Sequence, residues 1–534
     1  MESYEQKKGG LFMPTLTILQ GQTHTAVEMP SGATLLEGLR LGGFPHVDAP
    51  CGGKGRCGRC LVEVSGQIAP PSPREHALLA PGETRRLACL AVVEGDCTVT
   101  LPEGDLKAAT EGAAVRFAPD GHGAGLGAAV DVGTTTVVLY LYDRASGARL
   151  ATASGGNAQR GYGADVISRV QYTMEHPDGL ETLKTAIRTQ LRQLLAEACA
   201  QAGRKAEEVT ALSVAGNTVM LHLLAGLDPA SIAVAPFTPK SLFGETVSAD
   251  SYDLGAAPGA ELYLAPCVSG YVGGDITAGL VASGAAQAER PVLFVDVGTN
   301  GEMALGDRNG LLCCSTAAGP AFEGANLSCG MAAADGAIDK VWLENGTLCY
   351  SVLGGGAPAG VCGSGLVDTL AALLQLGIVD ETGRLLPADE APEEFADRLE
   401  GEGSETRFRL AGEVWVSAGD VRKLQLAKAA VSAGIQTLLE QQNVTAGQLD
   451  AFYLAGGFGS YLRPESAAAI GLFPAELLPV LKVVGNSAGM GASAALLSQA
   501  AQTALAETAA KCRYLELSGR SDFSDAYIDC MMFE

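Results

Sequence analysis

Two apolar strands of this chain run into nearly the same turn, and that repeat constrains the fold more than any other feature. Ala129-Val130-Asp131-Val132-Gly133-Thr134-Thr135-Thr136 and Leu293-Phe294-Val295-Asp296-Val297-Gly298-Thr299-Asn300-Gly301-Glu302 each place an aspartate near a strand end, then a glycine, then hydroxyl or amide side chains. The aspartates lie 165 residues apart (296 − 131). A strand–turn duplicated at that spacing predicts two related α/β lobes. Backbone N–H groups and threonine hydroxyls in such a turn can surround phosphate oxygens. The aspartate can hold Mg²⁺ through water or position a nucleophilic water. Asp131 and Asp296 are therefore the candidate catalytic residues. Gly133, Thr134, Thr135, Thr136, Gly298, Thr299 and Asn300 are candidate nucleotide-binding residues. A third segment, Tyr453-Leu454-Ala455-Gly456-Gly457-Phe458-Gly459-Ser460-Tyr461, suits an adenosine, with Gly456 and Gly457 letting backbone lie against base and ribose. These turns are not a Walker loop, since no G-x4-G-K-[ST] occurs, nor are they a Rossmann G-x-G-x-x-G opening. A pair of lobes that no longer hydrolyses nucleotide fits the same pattern.

The second constellation is Cys51-Gly-Gly-Lys-Gly-Arg-Cys57-Gly-Arg-Cys60, followed by Cys89. Three thiolates on a glycine-studded loop and a fourth from a distant strand approach the plant-type 2Fe–2S spacing, whose first gap is four rather than five. Tetrahedral zinc also takes four cysteines, usually as two C-x2-C pairs; here there is one such pair and two singles. Cys97 reads as an inert strand thiol. Cys313 and Cys314, adjacent on a strand, face opposite sides.

Short alternating runs around this loop mark residues 14–104 as one domain of half-buried strands. Residues 105–127 read as a flexible, Gly-rich linker. The lobes follow at 128–290 and 291–534, with helices over 181–200 and 419–442. Four glycine-rich segments remain, as turns or ligand contacts: 213–220, 270–275, 319–324 and 360–365.

Composition excludes several classes. The 534 residues carry Lys+Arg 36 against Asp+Glu 60, a net charge of −24, which argues against nucleic acid or an anionic membrane as partner. No apolar run approaches the ~18 residues of a span, and the first residues lack a secretory h-region. Fourteen cysteines in such a chain point to ligation rather than disulfides. Cytoplasmic placement is the expectation.

Together with Tyr162-Gly163-Ala164-Asp165-Val166-Ile167-Ser168-Arg169, Gly216-Asn217-Thr218 and Gln425-Leu426-Ala427-Lys428-Ala429-Ala430, these motifs resemble the reductive activators of corrinoid proteins. The resemblance implies an N-terminal β-grasp 2Fe–2S ferredoxin domain and duplicated RNase H-like lobes of the actin, sugar-kinase and chaperone superfamily. It implies ATP-dependent reduction of Co(II) to Co(I) in a corrinoid methyl-transfer protein, with ATP, Mg²⁺ and a 2Fe–2S cluster on Cys51, Cys57, Cys60 and Cys89. A low-potential electron donor is the other implied partner, and a homodimer is compatible with it. Some relatives carry a further small domain where this chain has only about 25 residues. The rival readings are an ATP-driven electron activator of a dehydratase or reductase, a small-molecule kinase, and a nucleotide-binding redox sensor.

Overall fold

The computed structural model describes residues 13–20, 23–42, 44, 49, 51–79, 82–101, 117, 119–120, 123–459 and 461–533. The chain divides into two units, residues 1–105 with 156–187, and residues 106–155 with 188–534. Segment 156–187, assigned to the first lobe from sequence, thus groups with the cysteine-bearing unit.

That unit is built on β1 (Thr15–Gln20), β2 (Thr23–Glu28), β3 (Leu61–Ile68), β4 (Arg86–Leu87) and β5 (Val93–Leu101), in the order β2-β1-β5-β3-β4. Only β1 and β5 pair in parallel; the other three pairs are antiparallel. Along β5 burial alternates, with Val93, Cys97, Val99 and Leu101 inward, so period-two patterning sets its register. Helix Leu35–Leu41 crosses between β2 and β3. Thr34 caps it, accepting from the Glu37 N–H while the Glu37 carboxylate accepts from the Thr34 N–H. Its Leu35, Leu36 and Leu39 fill the core beneath the sheet. This is the expected β-grasp.

The larger unit contains two sheets that share the wiring of five strands and carry a sixth on opposite edges. The first takes β6 (Leu126–Val132), β7 (Thr136–Asp143), β8 (Ala148–Gly156), β9 (Val209–Gly216), β10 (Thr246–Ser248) and β11 (Glu261–Leu264) in the order β10-β11-β9-β6-β7-β8. The second takes β12 (Val292–Val297), β13 (Gly301–Asp307) and β14 (Gly310–Thr316) as an antiparallel meander. Two small three-stranded sheets follow within residues 337–361 and 399–417. Returning to the second main sheet, β15 (Ala451–Ala455), β16 (Leu481–Gly485) and β17 (Cys512–Tyr514) complete the order β16-β15-β12-β13-β14-β17. In each sheet the strand before the duplicated turn is central, antiparallel to the strand after the turn and parallel to a later one.

One core joins both sheets: Tyr140 of β7, Phe294 of β12 and Met490 belong to the same buried cluster. Met490 lies on helix Ser487–Leu497, which packs chiefly on helix Gly274–Ser283, and so returns to the first lobe from sequence assigned to the second. Cys313 and Cys314 enter different cores on opposite faces of β14, as alternation requires. Of the proposed linker, residues 119–125 include an anchor: Asp120 Oδ2 accepts from Ser498 Oγ at 2.9 Å and from the Gln499 N–H at 2.8 Å. Its last two residues, Leu126 and Gly127, already open β6, so the linker ends earlier than expected, and residues 105–116, 118 and 121–122 lie outside the described residues. Among the described residues no helix is long and apolar enough to cross a membrane.

Candidate functional site

All nine candidate nucleotide-binding residues and both aspartates line one cavity of about 240 Å³ in the larger unit. Asp131 stands at the end of β6 and Asp296 at the end of β12, so the repeated wiring places equivalent carboxylates there. Gly456 closes the third side in a left-handed conformation (φ +92°); a Cβ there would lie 2.6 Å from Asp296 Oδ1. Only glycine fits that contact.

The structure adds residues that the motifs leave undecoded. Asp275, at the start of helix Gly274–Ser283, and Glu302, on β13, join Asp131 and Asp296 around the cavity. Enclosure raises Asp131 to about 7, reinforced by the Asp275 charge. It raises Asp275 to about 6. Burial, then the charges of Asp275 and Asp131, raise Asp296 to about 8. Burial, then the charges of Asp275 and Asp296, push Glu302 well up. Four acids around one cavity are thus all pushed upward, chiefly by burial. Asn217, from a segment that the sequence leaves open between turn and ligand contact, lines the cavity: it caps helix Thr218–Ala225, and its Nδ2 donates to Thr134 Oγ1 at 2.9 Å. Ser364, on the first turn of helix Gly363–Gln375, also lines the cavity.

Glu323 links the two duplicated turns. Thr135 Oγ1 donates to its Oε2 at 2.6 Å and Thr299 Oγ1 to its Oε1 at 2.7 Å. In the sequence the Glu323 segment stands out for its glycines, not for this carboxylate.

In the smaller unit the four expected cysteines come together as two pairs. Cys57 and Cys51 sulfurs lie 3.4 Å apart, and Cys60 and Cys89 sulfurs 3.3 Å apart. Among the described residues no three His, Cys, Asp or Glu side chains converge as a single-ion site. The Cys57 thiol donates to Cys51, which lowers Cys51 to about 4 and raises Cys57. In the same way, the hydrogen bond from Cys60 lowers Cys89 and raises Cys60. Gly52, Gly53, Gly55 and Gly58 all take positive φ, from +60° to +89°, so the loop curls as only glycines allow. Arg74 ties its crest, donating to the Gly55 and Lys54 carbonyls at 3.0 and 2.9 Å. Beneath it, buried Glu75 receives both arms of Arg86 at 2.8 Å and the Leu87 N–H at 2.9 Å, fixing the strand that leads to Cys89. Cys97 is buried on β5, facing the core, and burial raises its thiol. Segment 156–187 covers the Cys51 side. Arg40 donates to the Gly161 carbonyl and lies 4.5 Å over the Tyr162 ring, and Lys54 pairs with Glu175 at 2.8 Å.

Three known families match successive segments of the chain. Residues 17–94 match the 2Fe-2S iron-sulfur cluster binding domain family. Residues 126–288 match the RACo middle region, and 290–534 the C-terminal domain of RACo, the ASKHA domain. The chain is 36% identical over 425 residues to the corrinoid activation enzyme RamQ of Eubacterium limosum, covering 76% of this chain and 70% of that protein. This chain belongs to the family of reductive activators of corrinoid proteins. A solved reductive activator for a corrinoid,iron-sulfur protein shares 30% identity and a TM-score of 0.69, covering 97% of this chain and 98% of that one. A reductase of a methylated amine-specific corrinoid protein from Methanosarcina barkeri is 25% identical over 299 residues, covering 50% of this chain and 52% of that protein. As a member, this activator is an enzyme with an ASKHA domain and an iron–sulfur domain, and it acts on a corrinoid protein.

Proposed function

We propose that this activator delivers one electron from a 2Fe–2S cluster to the Co(II) of a corrinoid methyl-transfer protein, giving Co(I), and that ATP hydrolysis between the two lobes drives the transfer. One observation carries the cluster assignment: the thiols form two pairs rather than one group of four. Two sulfurs bound at ~2.3 Å to one tetrahedral metal lie roughly 3.7 Å apart. Pairs at 3.4 and 3.3 Å fit two irons with two cysteines each, and fit a single zinc poorly. Cys51 with Cys57 and Cys60 with Cys89 would hold the irons.

The buried acids support a cation-dependent nucleotide site. Asp131 and Asp296 would hold Mg²⁺ through water, and Mg²⁺ bound there would neutralise charge developing on the phosphates. The hydroxyls of Thr134, Thr135, Thr136 and Thr299, the side chain of Asn300 and the backbone at Gly133 and Gly298 would take the phosphates. Gly456 and Gly457 would take the adenosine. The strongly acidic composition fits a cytoplasmic enzyme with a protein partner.

ATP is needed because the electron moves uphill. In a one-electron step each 59 mV is about 1.4 kcal/mol, so an illustrative gap of roughly 300 mV would require about 7 kcal/mol. Nucleotide state can supply it only through differential affinity of two conformations for the corrinoid partner. The test is anaerobic Co(I) absorbance of a corrinoid protein mixed with reduced activator. Co(I) should form with ATP, and little should form without nucleotide or with a non-hydrolysable analogue. Equal formation in all three would overturn the coupling.

A further inference from the structure

The two lobes each present a turn toward the cavity, and one carboxylate bonds to both. Glu323 lies at the end of the short helical turn Pro320–Glu323. Its two oxygens accept from hydroxyls on opposite lobes, Thr135 at 2.6 Å and Thr299 at 2.7 Å. Those hydroxyls are the donors that the oxygens of a nucleotide's terminal phosphate would use. The carboxylate lines the same cavity as Asp131 and Asp296, beside the hydroxyls assigned to the phosphates. Its backbone is held there: the Gly319 N–H donates to the Thr299 carbonyl at 2.9 Å, and Gly324, at φ +73°, closes the turn against the Met331 carbonyl, which an added Cβ would strike.

We propose that Glu323 is the catalytic residue that takes the proton of the hydrolytic water, a role that rests on the ATPase reading above. When ATP enters, Thr135 and Thr299 transfer their hydrogen bonds to phosphate oxygens, and the freed carboxylate turns to a water in line with the phosphorus. The water oxygen forms the new P–O bond, and the bond from phosphorus to the bridging oxygen breaks. ADP leaves with that electron pair. The water's proton passes to Glu323 and from it to the departing inorganic phosphate. After product release the carboxylate recovers both hydroxyls.

Glu323→Gln keeps the shape and leaves oxygen and nitrogen for the two hydroxyls, but removes the proton acceptor. General-base roles contribute typically 10²–10⁴-fold, so kcat for ATP hydrolysis should fall by about 100-fold or more. The affinity for a non-hydrolysable Mg·ATP analogue, measured by calorimetry on the full cluster-loaded chain, should stay within about threefold. Retention of visible cluster absorbance and of the thermal midpoint checks folding. Turnover within threefold of the parent would overturn the proposal. A loss of analogue binding that matches the loss of turnover would also overturn it, since Glu323 would then shape the site rather than act in it. If the parent chain binds ATP but never hydrolyses it, with or without a corrinoid protein, the ATPase reading fails and this role with it. A turning-over parent with an unaffected E323Q sinks Glu323 alone.

Discussion

Replacing Asp296 by an asparagine should stabilise the nucleotide-free activator while destroying its turnover. Asp296 is raised from 3.8 to about 8, by burial and then by the Asp275 and Asp131 charges. Because the folded value lies above the unfolded one, the unfolded chain releases this proton first. The fold therefore loses stability as pH rises from about 4 through about 8, and regains it on acidification. At pH 7 the penalty is at most 1.36 × (7 − 3.8), about 4 kcal/mol. The carboxylate lines an open cleft, and an effective dielectric near 20 brings the figure to about 1–3 kcal/mol. A neutral amide in its place carries no such penalty. In a large unit each kcal/mol shifts the midpoint by roughly 2–4 °C. D296N should thus melt roughly 2–12 °C above the parent at pH 8, with the difference shrinking toward pH 5. The assay is thermal unfolding from pH 5 to 8.5 without nucleotide or divalent cation. Stability given up at a working site is a common trade. A D296N protein that melts at or below the parent at pH 8, or whose advantage does not shrink on acidification, refutes the argument.

Cys57→Ala should abolish visible absorbance while Cys97→Ala keeps it, since Cys57 faces Cys51 at 3.4 Å and Cys97 sits on β5; absorption spectra of the purified variants decide, and bleaching by Cys97→Ala alone would reverse the assignment. Glu75→Ala should cost about 3–5 kcal/mol in the smaller unit by leaving the buried Arg86 guanidinium without its carboxylate; urea titration followed by cluster absorbance reads it, and an unmoved midpoint counts against it. Deleting residues 530–534 should cost about 2–3 kcal/mol by removing the Met531 and Met532 carbonyls from Gln425 Nε2 and Lys428 Nζ, as measured by thermal melting. A melting temperature equal to the parent's would show that the tail does not hold the helix.

That last contact shows where sequence reading stops. Gln425 and Lys428 carry a family resemblance in the sequence, with no local clue to their work. The structure buries both on helix Ala418–Gln442, where they hold the carbonyls of the chain's last turns, about a hundred residues away. A long-range contact leaves no trace in spacing. Local devices are legible. The alternation of β5 and the two central strands with their turns follow from short-range chemistry, and each forms close to where it is expected. Helices over 181–200 and 419–442 emerge as Gly179–Gln201 and Ala418–Gln442, since a 3.6-residue apolar period needs no partner to be seen.

The same distinction divides the candidate site. Asp131 and Asp296 can be found because duplication writes the same motif twice, and two copies at lobe spacing say more than one. Asp275, Glu302 and Glu323 have no such copy. Asp275 opens a helix after a glycine run, and Glu302 is the second residue of a strand. Glu323 reaches Thr135 across 188 residues and Thr299 across only 24. What makes them part of the site is closure of two sheets on one cavity, a tertiary event. The pattern of acids nevertheless has a physical signature once the fold is known. Carboxylates enclosed together and pushed upward, chiefly by burial, are what mark this cavity as a candidate site, and they are the basis of the proposed cation and nucleotide roles. The thiol pairs of the other unit follow a similar logic, since nothing in packing requires four cysteines to meet in twos beneath a loop of left-handed glycines.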